Sequence, residues 1–151
     1  MNAGGFLLNG FVAVGLGATV GAWARWGLVS WLNPRFLFFP LGTFVANAVG
    51  GFLVGVAVAY FARHTELSPA WRLFAVTGFL GGLTTFSTYS AEVIGLLERG
   101  EAMWALGVAA AHLLVSLLLT AAGIEAAHSH TTQAIFIKIV LILICMAVLT
   151  V

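Results

Sequence analysis

The chain has 151 residues, of which 62% are hydrophobic and only 7% charged, with a formal net charge of +1. A water-facing globule carries about 25% charged residues, so the composition excludes one and points to a single-domain, all-α membrane protein that lives in a lipid bilayer. No basic patch or stripe is present for a nucleic-acid partner. The lone Cys145 has no intrachain disulfide partner and no metal-ligand spacing around it. The N-terminus shows neither the basic n-region nor the cleavage site of a signal peptide.

A membrane-spanning helix needs roughly 20 mostly apolar residues. The first such run extends from about Phe6 to Leu32 and stops at Asn33-Pro34. The second covers about Pro40 to Ala62. The third covers about Pro69 to Leu97 and is weak in the middle, at Gly81-Gly82. The fourth covers about Ala102 to Ile124. The connections NPRFLFFP and RHTELSP are proline-punctuated turns, and ERGE sets charges around a glycine. A polar linker, EAAHSHTTQ, then leads to a fifth apolar run from Ala134 to Val151, which is short for a span and contains Lys138. It is expected to form an additional peripheral or spanning helix without chemistry of its own.

The loop charges are balanced. Arg35 and Arg99 fall on one side of the bilayer, Arg63 and Arg72 on the other, and Arg25 near one end of the first helix shifts the balance little. Short-loop Lys and Arg residues set orientation. Either a weak bias still fixes one topology, or the chain inserts both ways and two copies meet as an antiparallel pair.

Polar residues are scarce enough to be informative, because each needs a partner where water is absent. In the second run Thr43 and Asn47 share a face that continues through Gly51 and Gly55. In the fourth, His112, Ser116 and Thr120 form a stripe with the same spacing. Such residues serve as helix–helix glue. Two stripes together with the hydroxyl cluster Thr84, Thr85, Ser87, Thr88 and Ser90 also resemble the lining of a hydrophilic path. The pairs Gly17/Gly21, Gly51/Gly55 and Gly78/Gly82 favour close helix packing and say nothing about cargo.

The stretch GFLGGLTTFSTYSAE is poor helix material. A glycine costs about 1 kcal/mol relative to alanine in a helix interior, and Ser and Thr divert backbone bonds to their side chains. A break there frees carbonyls, which suit a hard cation when they line a buried site. Phe86 and Tyr89 follow on one helical face. They either pack or turn their electropositive edges towards an anion. Glu92 stands at a vestibule or marks the interface. Arg25 presents charge to an anion or snorkels to the headgroups.

The segments GATVGAWARW, LGTFVANAVGGFLVG and, above all, GFLGGLTTFSTYSAE resemble the Fluc fluoride channels, also called the CrcB family, over the first four runs from about Gly15 to Gly123. The resemblance implies a four-helix transmembrane bundle with a broken third helix, paired as a dual-topology antiparallel homodimer. It also implies two pores that pass fluoride without an energy source, and a structural sodium ion at the dimer interface. The protein would be a multi-pass component of a prokaryotic inner membrane that exports fluoride and protects the cell from its toxicity. Residues 1–125 would form the channel domain, and 126–151 a linker and an apolar segment that inherit no role.

Carried over by position, the backbone carbonyls of Gly81 and Thr84 match the sodium ligands. Asn47 matches the pore-lining amide and Phe86 the first ring of the aromatic pair. Ser116 and Thr120 match part of a hydroxyl track, to which Thr85, Ser87 and Thr88 add hydroxyls. Arg25 and Glu92 match the vestibule arginine and the acid after the signature. Tyr89 departs from the usual Phe, and His112 from a small hydroxyl residue. Neutral His112 still donates a hydrogen bond, whereas its protonated form adds charge and would make conduction pH-dependent.

These groups suit fluoride. The ion is small, hard and strongly hydrated, so a narrow path must replace its water shell with several weak donors. A proton-coupled organic-cation exporter of the dual-topology type is the main alternative. It needs a carboxylate in the substrate path, for which only Glu92, near a helix end, qualifies. An intramembrane hydrolase pairing a Ser with His112 lacks the G-x-S-x-G context and an orienting carboxylate. A purely structural protein would use the stripes as glue alone.

Overall fold

A computed structural model describes residues 3–36, 38–129 and the isolated positions 134, 135, 137, 138 and 142. Among the described residues every regular element is helical. Helix α1 (Ala3–Leu32) ends in a tight 3₁₀ turn, Asn33–Arg35, where Pro34 sits in the first positions. Helix α2 (Leu41–Arg63) follows. Helix α3 (Pro69–Arg72) starts with Pro69 behind a Ser68 cap whose hydroxyl accepts from the Ala70 N–H at 3.4 Å. It runs into a π-helical stretch, Leu73–Leu80, and then into α4 (Gly81–Leu83). Thr84 and Thr85 are extended, α5 spans Phe86–Glu98, and α6 spans Ala102–Ala126.

Among the described residues, three helices are long and apolar enough to cross a membrane: Leu7–Arg35, Leu41–Arg63 and Ala102–Ala126. The run read from the sequence as a third span is divided into α3, the π stretch, α4 and α5, of which the longest has 13 residues. The fifth run, 134–151, lies mostly outside the described residues, and His130 of the linker lies outside them too.

The end of α5 shows why the chain turns at ERGE. Gly100 takes φ +78°, a conformation glycine adopts without a Cβ penalty. Its N–H reaches the Leu97 carbonyl, and the Glu101 N–H reaches Leu96, both at 2.9 Å. The last carbonyls of the helix are thereby satisfied.

Helices in lipid are drawn together by close packing and hydrogen bonds, since lipid tails are as apolar as leucine. Two glycine-lined seams do this here. Gly17 of α1 faces Gly78, Gly21 faces the Phe79 and Leu83 backbone, and a Cβ on Gly82 would lie 2.6 Å from the Ala18 carbonyl oxygen. Gly55 of α2 and Gly123 of α6 meet the opposite helix's backbone in the same way, with a Cβ on Gly55 2.9 Å from the Ile124 nitrogen. The main buried cluster, including Ala46, Val56, Phe79, Leu80 and Leu83, lies between these seams. A smaller one, of Leu96, Ala105 and Val108 with Phe38, Phe39 and Val93 against it, joins α5 to α6.

Candidate functional site

Where α4 ends, the backbone is held open by side chains. In a continuous α-helix the N–H of residue i bonds to the carbonyl of residue i−4. By that rule the Thr85 N–H belongs to Gly81, but it donates to Asn47 Oδ1 at 2.8 Å. The Thr88 N–H belongs to Thr84, but it donates to Thr85 Oγ1 at 3.1 Å, which makes Thr85 the N-cap of α5. Asn47 and Thr85 thus release the carbonyls of Gly81 and Thr84 from helical pairing. Thr84 turns its own hydroxyl back onto the Leu80 carbonyl at 2.9 Å. Arg25 Nε donates to the Gly82 carbonyl at 3.0 Å, so this arginine is tied to the same opening.

The Asn47 amide grips Thr85 from both sides. Its Nδ2 donates to the Thr85 carbonyl at 3.0 Å while Oδ1 takes the Thr85 N–H. On α6, His112 Nδ1 lies 3.3 Å from the same Nδ2. The His112 ring is buried, with Tyr89 stacked on it at 4.7 Å and the edge of Phe44 at 5.3 Å. Phe86 leans on Tyr89 with centroids 5.5 Å apart and planes 56° apart.

These side chains surround a cavity of about 300 Å³ between α2, α5 and α6. Asn47 and Gly51 line it from α2, Thr84 and Thr85 from the opening, Phe86 and Tyr89 from α5, and His112, Leu113 and Ser116 from α6. No Asp, Glu, Lys or Arg is among the lining residues. What the wall offers is hydroxyls, an imidazole and ring edges. Phe86 is 80% exposed within the single chain, so one side of the site is uncovered.

The other sequence candidates fall elsewhere. Ser87 and Thr88 hydrogen-bond to Thr85, with Ser87 Oγ at 3.3 Å and Thr88 Oγ1 at 3.0 Å, and neither lines this cavity. Thr120 donates to the Gly51 and Ser116 carbonyls at 3.1 and 2.8 Å, so it joins α6 to α2 beside the cavity. Thr88 and Glu92 line a second cavity of about 400 Å³, together with Asn33 and Arg99.

Glu92 belongs to a knot that the sequence did not reveal. Its Oε1 accepts from Thr43 Oγ1 at 2.6 Å and from Asn33 Nδ2 at 3.0 Å. Asn33 Oδ1 accepts from the Gly42 N–H at 2.7 Å, at the start of α2. Thr43 is fully buried. Its spacing placed it on the face of Asn47, but it serves this knot and not the cavity. Asn33 read only as the end of a helix, Gly51 read as part of the Asn47 face and as a packing residue, and Leu113 was not singled out. Among the described residues, no group of three or more His, Cys, Asp or Glu side chains is placed to hold a metal ion.

Residues 12–124 match the model of a family described as CrcB-like protein, Camphor Resistance (CrcB). A Pseudomonas putida (strain W619) protein named fluoride-specific ion channel FluC is 54% identical over 118 residues, 78% of this chain and 93% of its own length. A protein of the same name from Dechloromonas aromatica (strain RCB) is 57% identical over 114 residues, covering 76% and 84%. One from Cupriavidus metallidurans is 59% identical over 118 residues, covering 76% and 91%.

Proposed function

This chain belongs to the CrcB family, and we propose that it passes fluoride through the cavity between α2, α5 and α6. It is a fluoride channel, a multi-pass protein of the cell membrane and not an enzyme. The observation that carries the route is the wall of that cavity. It combines Thr and Ser hydroxyls, an imidazole and aromatic edges with an absence of charged side chains. Neutral donors replace part of the water shell of a small anion without trapping it, and several weak sites favour release. Electropositive ring edges at Phe86 and Tyr89 extend the path without adding charge.

In this reading α3, the π stretch, α4 and α5 together make one broken third crossing, so each chain contributes four crossings. The exposed Phe86 is covered by a second, antiparallel copy. The even distribution of Arg35 and Arg99 against Arg63 and Arg72 suits such a pair. The donor set at the break fits a sodium ion. Gly81 and Thr84 have carbonyls relieved of their helical N–H partners, and hard oxygen ligands suit a hard cation. The carbonyls of Gly81 and Thr84 from two copies would hold it, and its charge, when bound, supplies positive potential beside the path. Export of fluoride down its gradient would protect the cell. A proton-coupled cation exporter fits less well, because the only carboxylate near the path, Glu92, is tied to Thr43 and Asn33.

The test is fluoride efflux from liposomes holding the purified protein, with an electrode readout and chloride-loaded controls. Fast fluoride release with chloride retained is expected. Equal release of both ions, or release of neither from a folded protein, overturns the proposal.

A further inference from the structure

Arg25 reaches the backbone break from α1, and the seam at Gly82 brings it there. A Cβ on Gly82 would meet the Ala18 carbonyl oxygen and the Ala22 nitrogen, so α1 lies directly against α4. Arg25 is three residues beyond Ala22, on the same face. In a continuous helix the Gly82 carbonyl would take the Phe86 N–H. Here Thr84 and Thr85 are extended, and Arg25 Nε donates to the Gly82 carbonyl at 3.0 Å. The arginine thereby occupies the carbonyl that lies in the chain between those of Gly81 and Thr84. Carbonyls within a helix point the same way along its axis, and Gly81 is helical. The guanidinium on Gly82 therefore stands at the end towards which the Gly81 carbonyl points. Gly81 itself is open in the single chain, since a Cβ there would meet only the Val76 carbonyl oxygen, at 3.8 Å. No carboxylate is at hand to offset the arginine. The chain has no Asp, and Glu92, the acid that follows the break, is held by Thr43 and Asn33.

We infer that Arg25 is the valence filter of the cation site at the break: its charge admits a monovalent ion at the Gly81 and Thr84 carbonyls and refuses a divalent one. The inference rests on the sodium reading of those carbonyls and not on the fluoride route, and Arg25 lines neither of the two cavities. The reason is charge. Carbonyl oxygens bring dipoles without net charge, whereas calcium sites in proteins draw on carboxylates. The guanidinium is a fixed positive charge, and it repels a divalent ion twice as strongly as a monovalent ion in the same place. In an antiparallel pair the arginines of both copies act on the one ion. Arg25 thus has two parts to play. Its Nε holds the Gly82 carbonyl, which leaves the carbonyls of Gly81 and Thr84 to the ion, and its charge sets which ion they accept.

The experiment is thermal unfolding of the purified full chain in detergent, free of fluoride, in a buffer whose only cation is a bulky organic ammonium. Sodium chloride or calcium chloride is then added at matched ionic strength. The two ions are nearly equal in radius, so the comparison isolates charge. An ion that binds the folded state raises the melting temperature. Sodium is expected to raise that of the parent by a few degrees, and calcium to leave it unchanged. Arg25→Lys keeps the charge and is expected to behave like the parent. Arg25→Gln keeps a donor for the Gly82 carbonyl without the charge, and Arg25→Met keeps neither. In both, calcium is expected to stabilise at least as well as sodium. Calcium that stabilises the parent as sodium does, or uncharged variants that still refuse calcium, overturn the inference. So does a parent indifferent to sodium, because no cation is then held at the break. A parent that moves no fluoride in the liposome assay but keeps these melting responses refutes the channel reading and leaves the valence filter standing.

Discussion

Asn33 and Asn47 each use one amide to join distant parts of the chain, and the surroundings of the two differ in one respect. The Asn33 knot contains a carboxylate, Glu92, which accepts from both Asn33 and Thr43. The Asn47 cluster contains none and opens onto a cavity without charged walls. The first arrangement anchors the start of α2 to α5. The second keeps a backbone break open. Each cluster keeps one buried atom without a hydrogen-bond partner among the described residues, Glu92 Oε2 in the first and His112 Nε2 in the second, so what separates them is the carboxylate.

The comparison is broken most severely at Asn47. Asn47→Ala strips partners from the Thr85 N–H and carbonyl, each worth about 1–3 kcal/mol when buried, so fluoride efflux should fall on the order of 100-fold. Cross-linking and size-exclusion profiles would show whether assembly survives. If efflux persists, the break does not depend on Asn47 and the two clusters are alike.

A smaller and different effect is expected at the knot. Asn33→Ala removes the acceptor of the Gly42 N–H and a donor to Glu92, and should lower unfolding stability in detergent by about 2 kcal/mol. Glu92→Gln keeps an acceptor for the Thr43 hydroxyl and should lose less than Glu92→Leu does. Equal losses for Gln and Leu would mean that the knot is not held by hydrogen bonds. Smallest of all, Thr120→Val gives up one interhelical bond to the Gly51 carbonyl, worth about 0.6 kcal/mol in membrane helices. Efflux should be nearly unchanged, and a large loss would place Thr120 on the path after all.

The long helices were legible in the sequence, since apolar runs of sufficient length bounded by Pro34, Pro40 and Pro69 allow little else. Gly81-Gly82 and the hydroxyl residues after it read as poor helix material, and Thr84 and Thr85 are extended there. The group that holds that opening was not legible. Asn47 is 38 residues from Thr85 along the chain, and periodicity reports only which residues share a face, never which residue of another helix they meet. Thr43 shows the same limit, because one turn along the same face carried it from the cavity to the knot. The π-helical stretch left no mark either, as its residues read as an ordinary apolar run.

That stretch is a phase shifter for the residues on its C-terminal side. Hydrogen bonds from residue i to i−5, such as that from the Gly81 N–H to the Val76 carbonyl, take in one residue more per turn than an α-helix does. An α-helix advances about 100° per residue. Removing a single residue between Leu73 and Leu80 would restore ordinary winding and swing Gly81, Gly82 and Thr84 around the axis by about that angle. Gly82 would leave Ala18, and Thr85 would no longer face Asn47. Within these eight residues the number of side chains, more than their identity, would then set where the opening points.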